Sequence, residues 1–350
     1  MRVLFFPASR FIAGSVLCII ACLWNNGCIY AQVTASEKLG FKEFSIDLPQ
    51  WGQVNYYVST KRLDSLKPLL LYLDGSGPFP LYQKLDKGYG SSVALDIRKL
   101  AEHYHIVLIS KPGVPFVDSL KFNVEHGFPE YNEPMEYTRK LSLDWRVAAA
   151  DAVLNKVVQD IRVDKRKISV MGISEGFQVG AKLASVNKKI THLMLFVGNG
   201  LNQFYDFILQ ARNSSFRGAS LDSSQWVIDS LFQTFQDIYA DQENSDKMWF
   251  GHTYLRWSSF CNNIPMENIL SLDIPVYLVG CSQDENTTVA SMDYLYLESL
   301  RLKKRNITYK VYPYDHSFTE IMVGPGGEKM KGANRMREVM DEGLKWLLSH

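Results

Sequence analysis

Three residue types that together can activate a hydroxyl group occur in order along this 350-residue chain. Ser174 stands in the pentapeptide Gly172-Ile173-Ser174-Glu175-Gly176, Asp284 follows, and His316 comes last. A serine hydroxyl is a weak nucleophile; it needs a neighbouring base to take its proton and an acid to hold that base. The pentapeptide alone is a loose pattern, and an ordinary glycine-rich turn would fit it too. Its flanks sharpen it. Residues 167–171 are β-branched and apolar and read as a buried strand, and residues 177–184 are small or helix-forming. A strand, then G-x-S-x-G, then a helix places the serine at the tip of a strained turn. Glycines two residues before and two after relieve the crowding there.

The acid and base must come from elements that end near the serine. His316 directly follows a predicted strand over 307–312, so a short loop can carry its ring to Ser174. His252 falls in an irregular region, and His350 is the terminal residue. Asp284 lies five residues beyond Val279, at the end of the strand predicted over 274–279. Glu285 beside it competes for the same part, and Asp315 is too near His316 in sequence to be its natural orienter.

The elements that must position these residues follow from the pattern of apolar runs. Residues 41–48 and 53–59 read as an antiparallel hairpin. Residues 68–73, 105–110 and 192–197 are nearly continuous apolar runs, the mark of strands buried on both faces. The first of these ends in Asp74-Gly75-Ser76-Gly77-Pro78, a glycine-rich loop able to leave backbone N–H groups free for an oxyanion. A helix is predicted over 144–161 with Asp144 as its N-cap, another over 291–302 and a last one over 335–348. Strands alternating with helices at this spacing predict an α/β fold, a mostly parallel sheet with helices on both faces. Between about 201 and 272 the rhythm breaks. An amphipathic helix over 222–239 and many aromatics predict a helical cap inserted over the sheet's active edge, most of those aromatics in its core and a minority facing a pocket. The proline-rich stretch 111–141 is long for a loop and suggests a part in lining a site.

Composition narrows the function. Arg2 and Arg10 precede an apolar run over 11–24, too short for a membrane span but suited to a signal-peptide core, with cleavage after Ala31. Anchoring as a lipoprotein through Cys28 is the alternative. The expected product, residues 32–350, has no integral membrane span and is exported, to a periplasm or beyond. It carries 36 basic and 37 acidic residues without basic runs, which gives no reason to expect nucleic acid as partner. Only Cys261 and Cys281 remain after cleavage; a disulfide and two buried thiols are equally consistent with them. No zinc, phosphate-loop or dinucleotide motif occurs, so neither a metal nor a cofactor is expected.

With serine, acid and histidine in this order, most of residues 40–350 resembles the α/β-hydrolase superfamily. The cap position and the short Gly280–Asp284 segment are most similar to dienelactone-hydrolase and prolyl-oligopeptidase-type catalytic domains. The resemblance implies Ser174 as nucleophile, His316 as general base and acid, and Asp284 as the carboxylate holding the imidazole. It implies an oxyanion hole from the backbone N–H of Glu175 and that of Ser76. Asp74 stands where many lipases and esterases have the histidine of a His-Gly-Gly-Gly motif, and the chain has no room for the large propeller of prolyl oligopeptidases. The expected function is a secreted serine hydrolase cleaving a small carboxylic ester through an acyl-enzyme. A peptidase of short peptides and a non-catalytic binding protein on the same fold are the alternatives.

Overall fold

The computed structural model describes residues 34–122, 129–216, 218 and 220–350. The leader read from the sequence, with Cys28, lies outside the described residues. Eight strands form one sheet: β1 (Phe41–Leu48), β2 (Gly52–Ser59), β3 (Lys67–Leu73), β4 (His105–Ile109), β5 (Val163–Ile173), β6 (His192–Phe196), β7 (Val276–Cys281) and β8 (Ile307–Tyr312). Their spatial order is β1-β2-β4-β3-β5-β6-β7-β8. β1 and β2 form an antiparallel hairpin, and β2 runs antiparallel to β4. Every other pairing is parallel. Strands 3 to 7 are parallel and covered on both faces, which is why their sequences are continuous apolar runs and not alternating ones.

The helices used below are α1 (Leu143–Asp160), α2 (Glu175–Val186), α3 (Gln203–Phe216), α4 (Leu221–Ala240), α5 (Tyr254–Cys261), α6 (Val289–Arg301) and α7 (Met336–Ser349). Alternate strand residues divide the core in two. Leu69, Leu71, Val170, Leu193 and Leu195 pack with Val153 and Val157 of α1 and Leu183 of α2. Leu70, Tyr72, Met171, Met194 and Phe196 pack on the other face with Val339, Met340 and Leu347 of α7. Each such side chain removed from water contributes about 1.5–3 kcal/mol. Between β6 and β7 the chain leaves the sheet and forms α3, α4 and α5. Their own cluster is built from Phe204, Phe235, Ile238, Trp257 and Cys261, with Phe204 and Phe235 stacked at 4.0 Å.

The structure revises one helix cap, adds a hairpin, and decides between the two readings left open for the cysteines. Helix α1 begins one residue earlier than predicted, and Ser142 caps it: its hydroxyl accepts from the Trp145 N–H at 3.1 Å. Ser142 has the extended backbone an N-cap requires, whereas Asp144 is already inside the first turn. A hairpin of Thr319–Val323 with Lys329–Asn334 follows His316. Its mostly exposed or half-buried strands, one of them carrying lysines and a glycine, give no burial pattern to read. Cys261 and Cys281 are free, buried thiols, and burial pushes each up to about 12.

The cap assignment has a direct consequence. Ser142→Ala should cost about 1 kcal/mol in urea unfolding. Asp144→Asn should cost only a few tenths of a kcal/mol, the loss of a negative charge near the helix N-terminus. Equal costs would mean that Ser142 is not the cap.

Candidate active site

Ser174 is the junction of β5 and α2, with φ 55° and ψ −119°, a conformation that non-glycine residues rarely hold. The surroundings enforce it. The Ser174 N–H donates to the Phe196 carbonyl at 3.0 Å, and its own carbonyl accepts from the Phe177 N–H at 2.9 Å. A Cβ at Gly172 would overlap the Gly176 carbonyl, and one at Gly176 would overlap the carbonyl of Leu73. Both glycines are therefore demanded by the close approach of backbone to backbone.

The structure brings Ser174, His316 and Asp284 together at the carboxyl edge of the sheet. His316 Nε2 lies 3.0 Å from Ser174 Oγ, and His316 Nδ1 lies 2.7 Å from Asp284 Oδ2. A carboxylate only accepts, so Nδ1 carries the proton and Nε2 is left to accept from the serine hydroxyl. Asp284 is itself held. Its Oδ1 accepts the N–H groups of Asn286 (2.8 Å) and Thr287 (2.9 Å), and its Oδ2 accepts the Thr287 hydroxyl at 2.8 Å. The same hydroxyl also reaches the Val197 carbonyl at 3.2 Å, so the loop after β7 is tied to the end of β6. The loop after β8 is fixed by Phe318, a fully buried residue at φ 59° whose ring sits in the core two residues past His316.

The other candidates read from the sequence have partners of their own. Glu285 borders the cleft, but its exposed side chain pairs with Lys329 at 2.8 Å. Asp315 accepts from the N–H groups of Ser317 and Thr319 and so shapes its own turn. His350 stacks on Trp346. His252 does border the cleft, but burial pushes its pKa down to about 4, with the Arg256 charge acting in the same direction. It is neutral at pH 7.

Glu175 and Ser76 both adjoin Ser174. Glu175 is the first residue of α2, so its N–H has no acceptor one turn back. The loop after β3 approaches closely: a Cβ at Gly75 would lie 3.3 Å from Ser174 Cβ, and Ser76 lines the same cleft as Ser174. Beneath them runs a buried ion network that the sequence reading missed. The Glu175 side chain accepts from Arg146 Nη1 at 2.7 Å and from Arg256 Nη2 and Nε at 2.8 and 3.1 Å. Arg146 Nη2 donates to Asp74 at 2.6 Å, and Lys111 Nζ pairs with the other Asp74 oxygen at 2.7 Å. Burial opposes ionisation of Glu175, but Arg256, Arg146 and Lys111 outweigh it and hold the carboxyl well below the usual range. One signal was available for Arg146. It falls on the buried stripe of α1 with Ala149, Ala150 and Val153, where a charge must have a partner.

The cleft above Ser174 has a volume of about 390 Å³. Phe207, Phe250 and Trp257 line it together with the polar Gln203, His252 and Arg256. Phe250 is 72 % exposed at φ 44°, with its ring edge-on to Phe207 at 5.1 Å. Asp206 of α3 also borders the cleft and accepts from the Thr288 N–H and hydroxyl at 3.2 and 2.7 Å. Burial pushes its carboxyl up to about 7; the Thr288 bonds oppose this and the nearby Asp284 charge adds to it. Among the described residues, no group of three or more His, Cys, Asp or Glu could hold a metal ion.

Neither a protein-family model nor a curated protein sequence matches the chain. Solved structures do. Dipeptidyl peptidase 4 of Porphyromonas gingivalis is similar with a TM-score of 0.53 at 13 % identity, over 89 % of this chain and 35 % of its own. The puromycin-hydrolysing peptidase of Mycobacterium tuberculosis gives 0.52 at 14 % identity, over 88 % and 39 %. Acylaminoacyl peptidase of Pyrococcus horikoshii gives 0.50 at 13 % identity, over 88 % and 40 %. The protein has the α/β-hydrolase fold. It spans two-fifths or less of the length of these three structures. The α/β-hydrolase sheet accounts for where the candidate residues sit: one strand ends at Ser174, and the next two strands along the sheet edge beyond β6 end just before Asp284 and His316.

Two outcomes follow from the charges. Arg256→Met removes two of the three bonds to a buried carboxylate and should destabilise the fold by about 3–5 kcal/mol, read by urea unfolding. Asp206 is protonated in the folded chain, and ionised in the unfolded one, between about pH 4 and pH 7. The folded state binds the extra proton in that window, so this group's contribution to stability falls as pH rises through it and is level above. The stability of wild type relative to Asp206→Asn should therefore decline from pH 4 to pH 7. A pH-independent difference would contradict it.

Proposed function

We propose that this protein is an exported serine hydrolase that cleaves a carboxylic ester through an acyl-enzyme. The observation that carries the reading is the relay from Ser174 Oγ to His316 Nε2 at 3.0 Å and from His316 Nδ1 to Asp284 at 2.7 Å, on a serine in strained backbone. In the first step Ser174 Oγ attacks the ester carbonyl carbon and its proton passes to His316 Nε2. The carbonyl oxygen becomes an oxyanion, received by the N–H groups of Glu175 and Ser76. Collapse breaks the bond to the alcohol, which leaves with the proton from His316. Water, deprotonated by the same nitrogen, then attacks the acyl-serine and regenerates the hydroxyl. Asp284 stabilises the imidazolium in both halves.

The aromatic residues of the cleft, Phe207, Phe250 and Trp257, suit an apolar acyl or alcohol group. A second reading, hydrolysis of short peptides by the same groups, draws on the similarity to three proteins named as peptidases. The apolar run over 11–24, preceded by Arg2 and Arg10, supports export and so action outside the cytoplasm. Among the described residues no helix is long and apolar enough to cross a membrane.

A fluorophosphonate probe tests the reading directly. Purified wild type should label, whereas folded Ser174→Ala and His316→Ala should not. Labelling of Ser174→Ala would remove the proposed nucleophile, and a folded wild type that never labels would point to a binding protein. Hydrolysis of p-nitrophenyl esters without release of p-nitroaniline from aminoacyl anilides would support the ester; the reverse would support the peptidase.

A further inference from the structure

The loop between Asp74 and Gly77 is held from below by one side chain. Lys111, two residues past the end of β4, is almost fully buried. An ammonium group has three N–H donors, and all three are used: Asp74 Oδ2 at 2.7 Å, the Gly75 carbonyl at 2.6 Å and the Gly77 carbonyl at 2.8 Å. Asp74 is fixed in turn by Arg146, and Arg146 by Glu175, whose own N–H begins α2 beside Ser174.

We propose that Lys111 is the positioning residue of the oxyanion hole: by holding the Gly75 and Gly77 carbonyls, it turns the Ser76 N–H toward Ser174 Oγ. The inference rests on the reading of Ser174 as nucleophile. Its physical basis is the planarity of the peptide bond. In a trans peptide the carbonyl of Gly75 and the N–H of Ser76 point in opposite directions. With the carbonyl drawn down to Lys111, the N–H faces away from it, on the side where Ser76 lines the cleft with Ser174. Among the described residues that N–H has no protein acceptor. The loop cannot turn this peptide over without taking the Gly75 carbonyl from Lys111 and leaving a buried ammonium one donor short. Gly77 at φ 92° allows the chain to reverse so that both carbonyls reach the same nitrogen. Burial draws the Lys111 ammonium below its usual pKa, and the Asp74 carboxylate opposes that loss of charge. The arrangement also gives a reason for Asp74 at the head of the loop: it is the counter-ion of the group that orients the donor.

The test compares wild type, Lys111→Met and Lys111→Arg with p-nitrophenyl butyrate as substrate and an alkyl trifluoromethyl ketone as inhibitor. The ketone's serine adduct places an oxyanion in the hole. Lys111→Met should lower kcat roughly 10²- to 10³-fold per titrated active site, with KM nearly unchanged. Ketone affinity should fall by the same factor. A packing defect alone would reduce the number of titratable sites and leave both constants of the remaining sites alone. Lys111→Arg keeps the charge beside Asp74 but presents a planar fork, and should show an intermediate loss. A folded Lys111→Met with wild-type kcat would overturn the proposal. If that variant does not fold, a crystal structure of the wild-type ketone adduct decides. An oxyanion bonded to the Ser76 and Glu175 N–H groups above an unmoved Lys111 supports it. An adduct on Ser174 with the oxyanion away from Ser76 overturns it alone. An adduct on another residue overturns the reading of Ser174 itself.

Discussion

The site depends on a buried carboxylate that is never free to move. Glu175 occupies the position after Ser174, and its side chain is gripped by Arg146 from α1 and Arg256 from α5. Through Arg146 the grip extends to Asp74, and through Asp74 to Lys111. Five charged side chains from five parts of the chain thus share one set of bonds out of water. Burying charges costs several kcal/mol per ion, and that cost is recovered only when every partner is in place. Removing one leaves the others exposed to the full penalty, so the arrangement tolerates little displacement. Such a network adds less to net stability than apolar packing would. What it does is hold the loop after β3, the turn at Ser174 and helix α5 in one geometry.

The network balances two carboxylates against three cations, leaving one positive charge beneath the serine. The N-terminus of α2 adds its partial positive charge at the same place. A negative charge developing over Glu175 and Ser76 would therefore meet a field already oriented toward it. In a site partly closed off by aromatic side chains, such a field is screened less than it would be in water. Preorganisation of this kind requires no rearrangement at the moment of reaction.

The sheet supplies the rest. Parallel strands all end on the same side, so loops that follow them converge whatever their separation in sequence. Asp284 and His316 reach Ser174 because β7 and β8 lie in succession beyond β6 on one edge. The strained turn at Ser174 persists because Gly172 and Gly176 are packed against backbone and cannot relax. Phe318, buried under the His316 loop, and Thr287, bonded to both Asp284 and Val197, hold the two partner loops in the same way.

The sequence by itself determined the sheet-forming segments and the order of the candidate catalytic groups. Continuous apolar runs of five or six residues such as 68–73 and 192–197, bounded by turn residues, read as strands covered on both sides, and their alternation with helices places the serine's glycine pair between a strand and a helix. It favoured Asp284 as the acid, with Glu285 beside it as the competitor. Tertiary structure made that choice, because only one of two adjacent side chains can face His316 while the other reaches solvent and Lys329. The helix cap at Ser142 turned on a backbone angle that composition does not report. The ion network was beyond reach for a deeper reason. Asp74, Lys111, Arg146, Glu175 and Arg256 are separated by tens of residues, and apart from Arg146, which falls on the apolar stripe of its helix, each alone looks like an ordinary surface charge. Their partnership exists only once the fold has buried them together, since a charge reveals its function through what is left to neutralise it when water is gone.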